Sequence, residues 1–363
     1  MRTTAKVVLG VVLVVVLGVG GYLGVQLATH WSTPLGPSLV LDLPTGTLVA
    51  PGVTTPSAES PLGEDTPTAD AEGTATSEPP ATDALVILAV GADNSAGYIR
   101  GLADVTRVVR IDFTNAKVTM LAFPRDLSVR IPGMEHYHGL SRAKLNQAYY
   151  SGNVNNEPGG AGPGLLARTL NENYGMRIDN YVAVNMTTFT KIVNAVGGID
   201  IYLPRDVDGT TSPTPLPYFN AGWNHFNGAQ ALAYSRIRKI DTELDRIDRQ
   251  TEVICALRAK VTSADVLPRI PAILESFLGN VLTDLTPEQI SRLVALAPSV
   301  GTKNIYSASI PRELLTGTSE PIALATPPVH TFVWRGDEAR IRELVSQFLE
   351  GTYPSGAGTS PCN

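Results

Sequence analysis

Between Tyr234 and Gln250 the chain gathers Arg236, Arg238, Arg246 and Arg249, although its net charge is −6. Planar guanidinium forks in such density match the oxygens of phosphate groups. Arg236 and Arg238, two apart, share one face if their segment is an extended strand. Arg246, Arg249 and Gln250, three and four apart, share a stripe if theirs is a helix. With Arg246 as origin and about 100° per residue, Ile247, Ile254, Leu257 and Val261 fall within roughly 20° to 100°. Asp245, Asp248 and Glu252 fall at roughly 200° to 260° on the same wheel. The acids therefore face water. Arg246, Arg249, Gln250 and Glu243 lie on or beside the apolar stripe, where a charge needs a partner or an anionic ligand. The competing reading is a set of ion pairs along the helix, with no ligand.

Other segments bring further charges. Leu85-Val-Ile-Leu-Ala-Val90 reads as a buried strand that delivers Asp93 at its end. Thr106–Phe113 and Lys117–Phe123 read as a hairpin closed by Thr114-Asn-Ala116. Pairing with residue numbers summing to about 230 would set Asp104 beside Asp126 and Arg107 beside Phe123, gathering Asp104, Arg107, Arg125 and Asp126 at the open end. Further on, a strand at Tyr181–Val184, a helix at Thr187–Val196 stopped by Gly197-Gly198 and a strand at Ile199–Leu203 follow in turn. The segment from Asp206 to Phe219, rich in Pro and Thr, reads as an insertion or loop. Helices over Pro268–Leu278, Pro287–Leu296 and Glu338–Leu349, with strands at Asn304–Ser309 and His330–Trp334, complete the pattern. The fold class is α/β, a mixed central β-sheet with helices on both faces.

The rest of the chain sets the context. Residues 7–28 form an uncharged apolar run of bilayer-spanning length behind Arg2 and Lys6. This predicts an uncleaved transmembrane helix with residues 1–6 in the cytoplasm and the remainder outside the cell membrane. Residues 29–83, rich in Pro, Thr, Ser and Ala, cannot bury a core and read as a disordered linker. Residues 84–353 are long enough for one large domain, and 354–363 read as a flexible tail. The net negative charge argues against nucleic acid as a partner. The two cysteines, Cys255 and Cys362, are candidates for a disulfide in an oxidising compartment.

On these residues the chain resembles the LytR-CpsA-Psr family of cell-envelope phosphotransferases. The motifs that carry the resemblance are Gly91-Ala-Asp93, Phe123-Pro-Arg-Asp126, Ile131-Pro-Gly133, Lys144-Leu-Asn146, Ile178-Asp-Asn-Tyr181, Val196-Gly-Gly-Ile199, Gly228-Ala-Gln-Ala-Leu-Ala-Tyr-Ser-Arg-Ile-Arg238 and Arg246-Ile-Asp-Arg-Gln250. The resemblance implies a three-layer fold with an apolar pocket for a polyprenyl chain and arginines at its mouth. It implies transfer of a glycan phosphate from a polyprenyl-pyrophosphate carrier to a cell-wall acceptor such as a peptidoglycan hydroxyl, releasing polyprenyl phosphate. The clamp it implies is Arg125, Lys144, Arg236, Arg238, Arg246, Arg249 and Gln250. Asp93 and Asp104 match acids that hold Mg²⁺ or position the acceptor, and Asp104 or Glu243 would take the acceptor's proton. The chain departs from the pattern at Leu102-Ala-Asp104, where an arginine usually stands two before the acid, leaving Arg100 or Arg107 to substitute. It departs again at Glu243, where the family has aspartate. Phosphoryl transfer needs charge neutralisation and alignment above all, which guanidinium groups and Mg²⁺ supply.

Two other functions use the same residues: a polyprenyl-pyrophosphate pyrophosphatase with water as nucleophile, and a non-catalytic polyprenyl-lipid-binding envelope protein. His136 and His138 lack the further ligands of a zinc site. Gly159-Gly-Ala-Gly-Pro-Gly164 lacks the lysine ending of a phosphate loop. Leu165, Leu166, Leu170, Phe189, Ile192 and Val193 line either a lipid pocket or an ordinary core.

Overall fold

An apolar run without alternation must bury both faces, and Leu85–Val90 does so at the centre of the molecule. The computed structural model describes residues 38–39, 83–94, 101–134, 140, 142–154, 161–212, 215–237, 243–261, 263–266, 269, 273, 281–296, 299–321 and 330–354, excepting the side chains of 243–245, 294 and 302. All of these belong to one compact unit, Met1–Leu41 with Asp83–Asn363.

In chain order the strands are β1 (Ala84–Ala92), β2 (Ala103–Asp112), β3 (Lys117–Phe123), β4 (Ser128–Arg130), β5 (Arg142–Lys144), β6 (Asn180–Asn185), β7 (Ile199–Leu203), β8 (Val207–Asp208), β9 (Tyr218–Phe219), β10 (Gly222–Phe226), β11 (Leu282–Thr283), β12 (Ile305–Ser309), β13 (Leu315–Pro321) and β14 (His330–Gly336). The helices are α1 (Leu145–Val154), α2 (Ala161–Tyr174), α3 (Met186–Ala195), α4 (Gly228–Arg236), α5 (Glu243–Val261), α6 (Pro287–Leu296) and α7 (Glu338–Glu350). The central sheet has six strands in the order β11-β6-β1-β2-β3-β12, with β1–β6 and β3–β12 parallel and the other pairs antiparallel. One face of β1, through Val86, Leu88 and Val90, packs with Leu170 and Tyr174 of α2 and Phe348 of α7. The other, through Leu85 and Ile87, packs with Ile290 and Leu293 of α6. The fold is thus mixed α/β with helices on both faces of the sheet. A separate core joins α3, β7, β10, α4 and α5.

The hairpin and Arg236 differ from expectation. The β2–β3 register sums to 229, pairing Thr106 with Phe123 and Arg107 with Ala122. The turn takes in Phe113 as well: Asp112 accepts the Asn115 N–H at 2.9 Å, and Ala116 turns left-handed at φ 46°. Arg236 ends a helix and does not lie on a strand, because Asn227 and Gln230 form a reciprocal capping box that starts α4. Lys144 ends β5 and leads directly into α1.

Among the described residues no helix is long and apolar enough to cross a membrane, and the 7–28 span lies outside them. Most of the 29–83 linker, His136, His138, the helix expected over 268–278 (apart from residues 269 and 273) and the 355–363 tail also lie outside. Within the linker, Leu39 packs against the main core and donates its N–H to Asp284 Oδ2 at 3.0 Å.

Candidate active site

The site begins where β1 meets the start of β2. The β1–β2 register shifts between Gly91 and Ala92, and the strands approach so closely that a Cβ on Gly91 would lie 2.9 Å from Val105 Cβ. Here the backbone of Leu102 ties two acids together. Its N–H donates to Asp93 Oδ1 at 2.5 Å, and its carbonyl accepts from the N–H groups of Asp93 and Asp104, each at 3.0 Å. Both acids are therefore positioned by backbone atoms of residue 102, independently of its leucine side chain. Burial raises the Asp93 pKa most; the Leu102 N–H opposes this, Asp104 reinforces it, and Arg125 and Arg236 oppose it.

Arg125 follows β3 and Pro124. Its Nη1 meets Asp104 Oδ1 at 2.5 Å and its Nε lies 3.4 Å from Asp126 Oδ2. Asp126 is 8% exposed and pairs with Lys144 Nζ at 2.7 Å. Burial by itself would raise the Asp126 pKa, but Arg125, Lys144 and Arg246 outweigh it and hold the carboxyl below its ordinary value. Lys144 thus orients Asp126, Asp126 orients Arg125, and Arg125 grips Asp104.

The helix α5 contributes from the opposite side. Arg246, Arg249 and Gln250 are buried while Asp248 and Glu252 are exposed, as the wheel requires. Arg246 Nη2 donates to the Asp104 carbonyl at 3.2 Å. Arg107 is buried and donates to the Ile247 carbonyl at 3.0 Å, to Thr251 Oγ1 at 2.8 Å and to Ser307 Oγ at 3.2 Å. Burial lowers its pKa to about 10, with Asp248 opposing.

Asp93, Asp104, Arg107, Arg125, Arg236, Arg246 and Gln250 all line one cavity of about 310 Å³. Apolar side chains, including Val90, Met186, Phe189, Leu232 and Leu257, form the rest of its wall. Lys144 and Arg249 do not line it: Arg249 Nη2 donates to the Ile237 carbonyl at 2.6 Å and holds the end of α4. Arg238 and the side chain of Glu243 lie outside the described residues. Of the apolar candidates, Phe189 lines the cavity, whereas Leu165, Leu166 and Leu170 belong to the main core and Ile192 and Val193 to the second core.

Ser212 and Leu216 also line the cavity, from a segment that sequence alone read as an insertion. Ser212 Oγ is buried without a hydrogen-bond partner among the described residues. The available signal was Ser and Leu within a Pro-Thr stretch, which points to no site. Among the described residues no group of three or more His, Cys, Asp or Glu could hold a metal. Cys255 is disulfide-bonded, while Cys362 lies outside the described residues. An apolar chamber walled partly by guanidinium groups and two linked carboxylates can bind an anion attached to a hydrophobic chain.

The LytR_cpsA_psr family model matches residues 54–331. The chain is 30% identical over 267 residues to a Bacillus subtilis (strain 168) protein named polyisoprenyl-teichoic acid–peptidoglycan teichoic acid transferase TagV, covering 72% of this chain and 63% of that protein. It is 33% identical over 214 residues to the Oceanobacillus iheyensis transferase of the same description named TagU, covering 58% of this chain and 62% of that protein. The chain therefore spans less than two thirds of the length of these curated relatives. The crystal structure of B. subtilis TagV superposes with a TM-score of 0.56 at 28% identity, covering 74% of this chain and 97% of that one.

Proposed function

The chain belongs to the LytR-CpsA-Psr family, and on that premise we propose that it is an extracytoplasmic phosphotransferase. It binds a polyprenyl-pyrophosphate-linked glycan and transfers the glycan phosphate to a cell-wall acceptor such as a peptidoglycan hydroxyl. The observation that carries this reading is the joining of an apolar chamber to the Asp93, Asp104, Arg125, Arg236 and Arg246 group in a single cavity wall. An isoprenoid tail seeks the apolar part, and a diphosphate seeks the arginines.

In the reaction the acceptor hydroxyl oxygen bonds to the glycan-bearing phosphorus, the bond from that phosphorus to the bridging oxygen breaks, and polyprenyl phosphate leaves. The arginines neutralise charge on the transferred and departing phosphates. The hydroxyl proton passes to a carboxylate, and among the described side chains Asp93 and Asp104 are the carboxylates on the cavity wall. These two acids suit Mg²⁺: they are hard oxygen donors close enough for Asp104 to raise the Asp93 pKa, a repulsion that a cation relieves. Bound there together with phosphate oxygens, Mg²⁺ would supply charge neutralisation. The apolar run at 7–28 would tether the chain to the cell membrane with this domain outside.

The test is to incubate the full chain, in detergent, with a prenyl-diphosphate-linked saccharide and purified peptidoglycan, and to follow the saccharide and the prenyl product. Attachment of saccharide phosphate to peptidoglycan with release of prenyl monophosphate is expected. Release of monophosphate without attachment would show a pyrophosphatase instead, and binding without turnover would show a lipid carrier.

A further inference from the structure

Outside the cavity, one face of the molecule displays aromatic rings that the reaction does not use. In the β7–β10 hairpin Ile199, Ile201, Leu203 and Phe226 turn inward and are buried. Outward, Trp223 is paired with Tyr202 and His225 with Asp200. Trp223 is 76% exposed and Tyr202 56%, and their rings meet edge to face with centroids 5.5 Å apart. Water gains nothing from such a display, and a large exposed aromatic pair marks a contact surface.

The next pair along is built with equal care. His225 Nδ1 lies 2.7 Å from Asp200 Oδ1. Its Nε2 occupies the space over Gly198, where a Cβ would lie only 2.6 Å away, and Gly198 holds φ at +86°. The Gly197-Gly198 stop thus ends α3 and also seats the imidazole. The connection from β7 to β10 is pinned by Tyr218 Oη donating to Asp206 at 2.6 Å, and the same connection supplies Ser212 and Leu216 to the cavity wall.

We propose that Trp223, Tyr202, Asp200 and His225 form a saccharide-binding ledge that holds the acceptor glycan strand. The C–H face of a pyranose ring is apolar with slight positive charge and stacks on the electron-rich indole face. Asp200 accepts from hydroxyl groups at the ring's edge, and His225 holds that carboxylate in place. Charge selects the occupant. Asp200 lies against His225, Asp206 accepts from the Ala221 N–H two residues before Trp223, and Asp208 follows in the same segment against one arginine, Arg205; this acidic excess disfavours an anionic bilayer or a phosphate-rich polymer, while sugar hydroxyl groups find carboxylate acceptors. Naming the ligand as acceptor rests on the proposed transfer; the saccharide class rests on the ledge alone.

The test uses the full chain in detergent, measuring cosedimentation with purified peptidoglycan and titration with a soluble β-1,4-linked N-acetylglucosamine hexamer. Trp223→Ala should weaken both about tenfold, a change of one decade in affinity, with Trp223→Phe in between and thermal unfolding unchanged. Arg246→Ala should bind both glycans like the wild type. If Trp223→Ala binds glycan normally, the ledge assignment is wrong. If Trp223 instead governs binding to phosphatidylglycerol vesicles, the face is a membrane contact and the proposal falls. Glycan binding that depends on Trp223 in a protein without transfer activity would overturn the proposed function and leave the ledge standing.

Discussion

Arg125→Ala removes the side chain that joins the two halves of the charge network. Its guanidinium bridges Asp104 and Asp126 at 2.5 and 3.4 Å, with side chains 12%, 18% and 12% exposed for Arg125, Asp104 and Asp126. Three consequences follow from that position. Loss of one preorganised donor to a transferring phosphoryl group costs about 3–4 kcal/mol of transition-state stabilisation, or roughly 10² to 10³ in rate. Asp93, whose pKa is raised chiefly by burial and further by Asp104, loses one of the two cations that hold it down, so its pKa rises further. Breaking a buried pair costs about 3–5 kcal/mol of stability, reduced here to about 1–3 by residual solvent access. Arg125→Lys keeps the charge but not the fork, and should fall between wild type and alanine in rate. The assay is transfer of a labelled prenyl-diphosphate saccharide to peptidoglycan by the full chain, beside thermal unfolding of each variant. An alanine variant whose turnover stays within twofold of wild type would refute the assignment of Arg125 to the clamp.

Lys144→Ala touches the cavity only through Asp126, so it should lower stability by about 1–2 kcal/mol and reduce transfer less than Arg125→Ala does, as paired melting and activity measurements would show. The folded pKa of Asp126 lies below its ordinary value. Its stabilisation is therefore full above about pH 4, the unfolded carboxyl value, and is lost as pH falls through the folded pKa. Unfolding of Asp126→Asn should accordingly vary less with pH in that acid range. Asp93 has the opposite sign: its folded pKa is raised, so its ionisation opposes folding as pH rises through that value. Asp93→Asn should melt higher than wild type at neutral pH yet lose transfer; a lower melting temperature would contradict the sign. Gly228→Ala places a Cβ 2.1 Å from the Thr190 carbonyl where α4 crosses α3. Overpacking there should cost about 2 kcal/mol or more and shift Arg236 away from the cavity, which denaturant melts and prenyl-diphosphate binding would both report.

Periodicity alone determined the α5 wheel, because a helix repeats its inward face every three to four residues whatever it packs against. It therefore placed Arg246, Arg249 and Gln250 inside and Asp248 and Glu252 outside. The strands β6, β7 and β12, and the helices α6 and α7, were legible for the same local reason, as was the delivery of Asp93 at the end of β1. Three-dimensional packing alone decided which inward charges share a chamber. Arg249 and Arg246 sit on one stripe, yet Arg249 is spent on the Ile237 carbonyl while Arg246 reaches Asp104 and the cavity. Phe189 faces the cavity and Ile192, three residues on along the same helix, faces a core. The β2–β3 register turned on a single residue of the turn, which local propensity does not resolve. Ser212 and Leu216 reach the cavity only because the β7–β10 connection folds over it, and Trp223 stands in solvent because no described element covers that side of the hairpin. Hydrophobic pattern says that a side chain is buried; which neighbours bury it depends on contacts between residues far apart in the chain, and those exist only once the chain has folded.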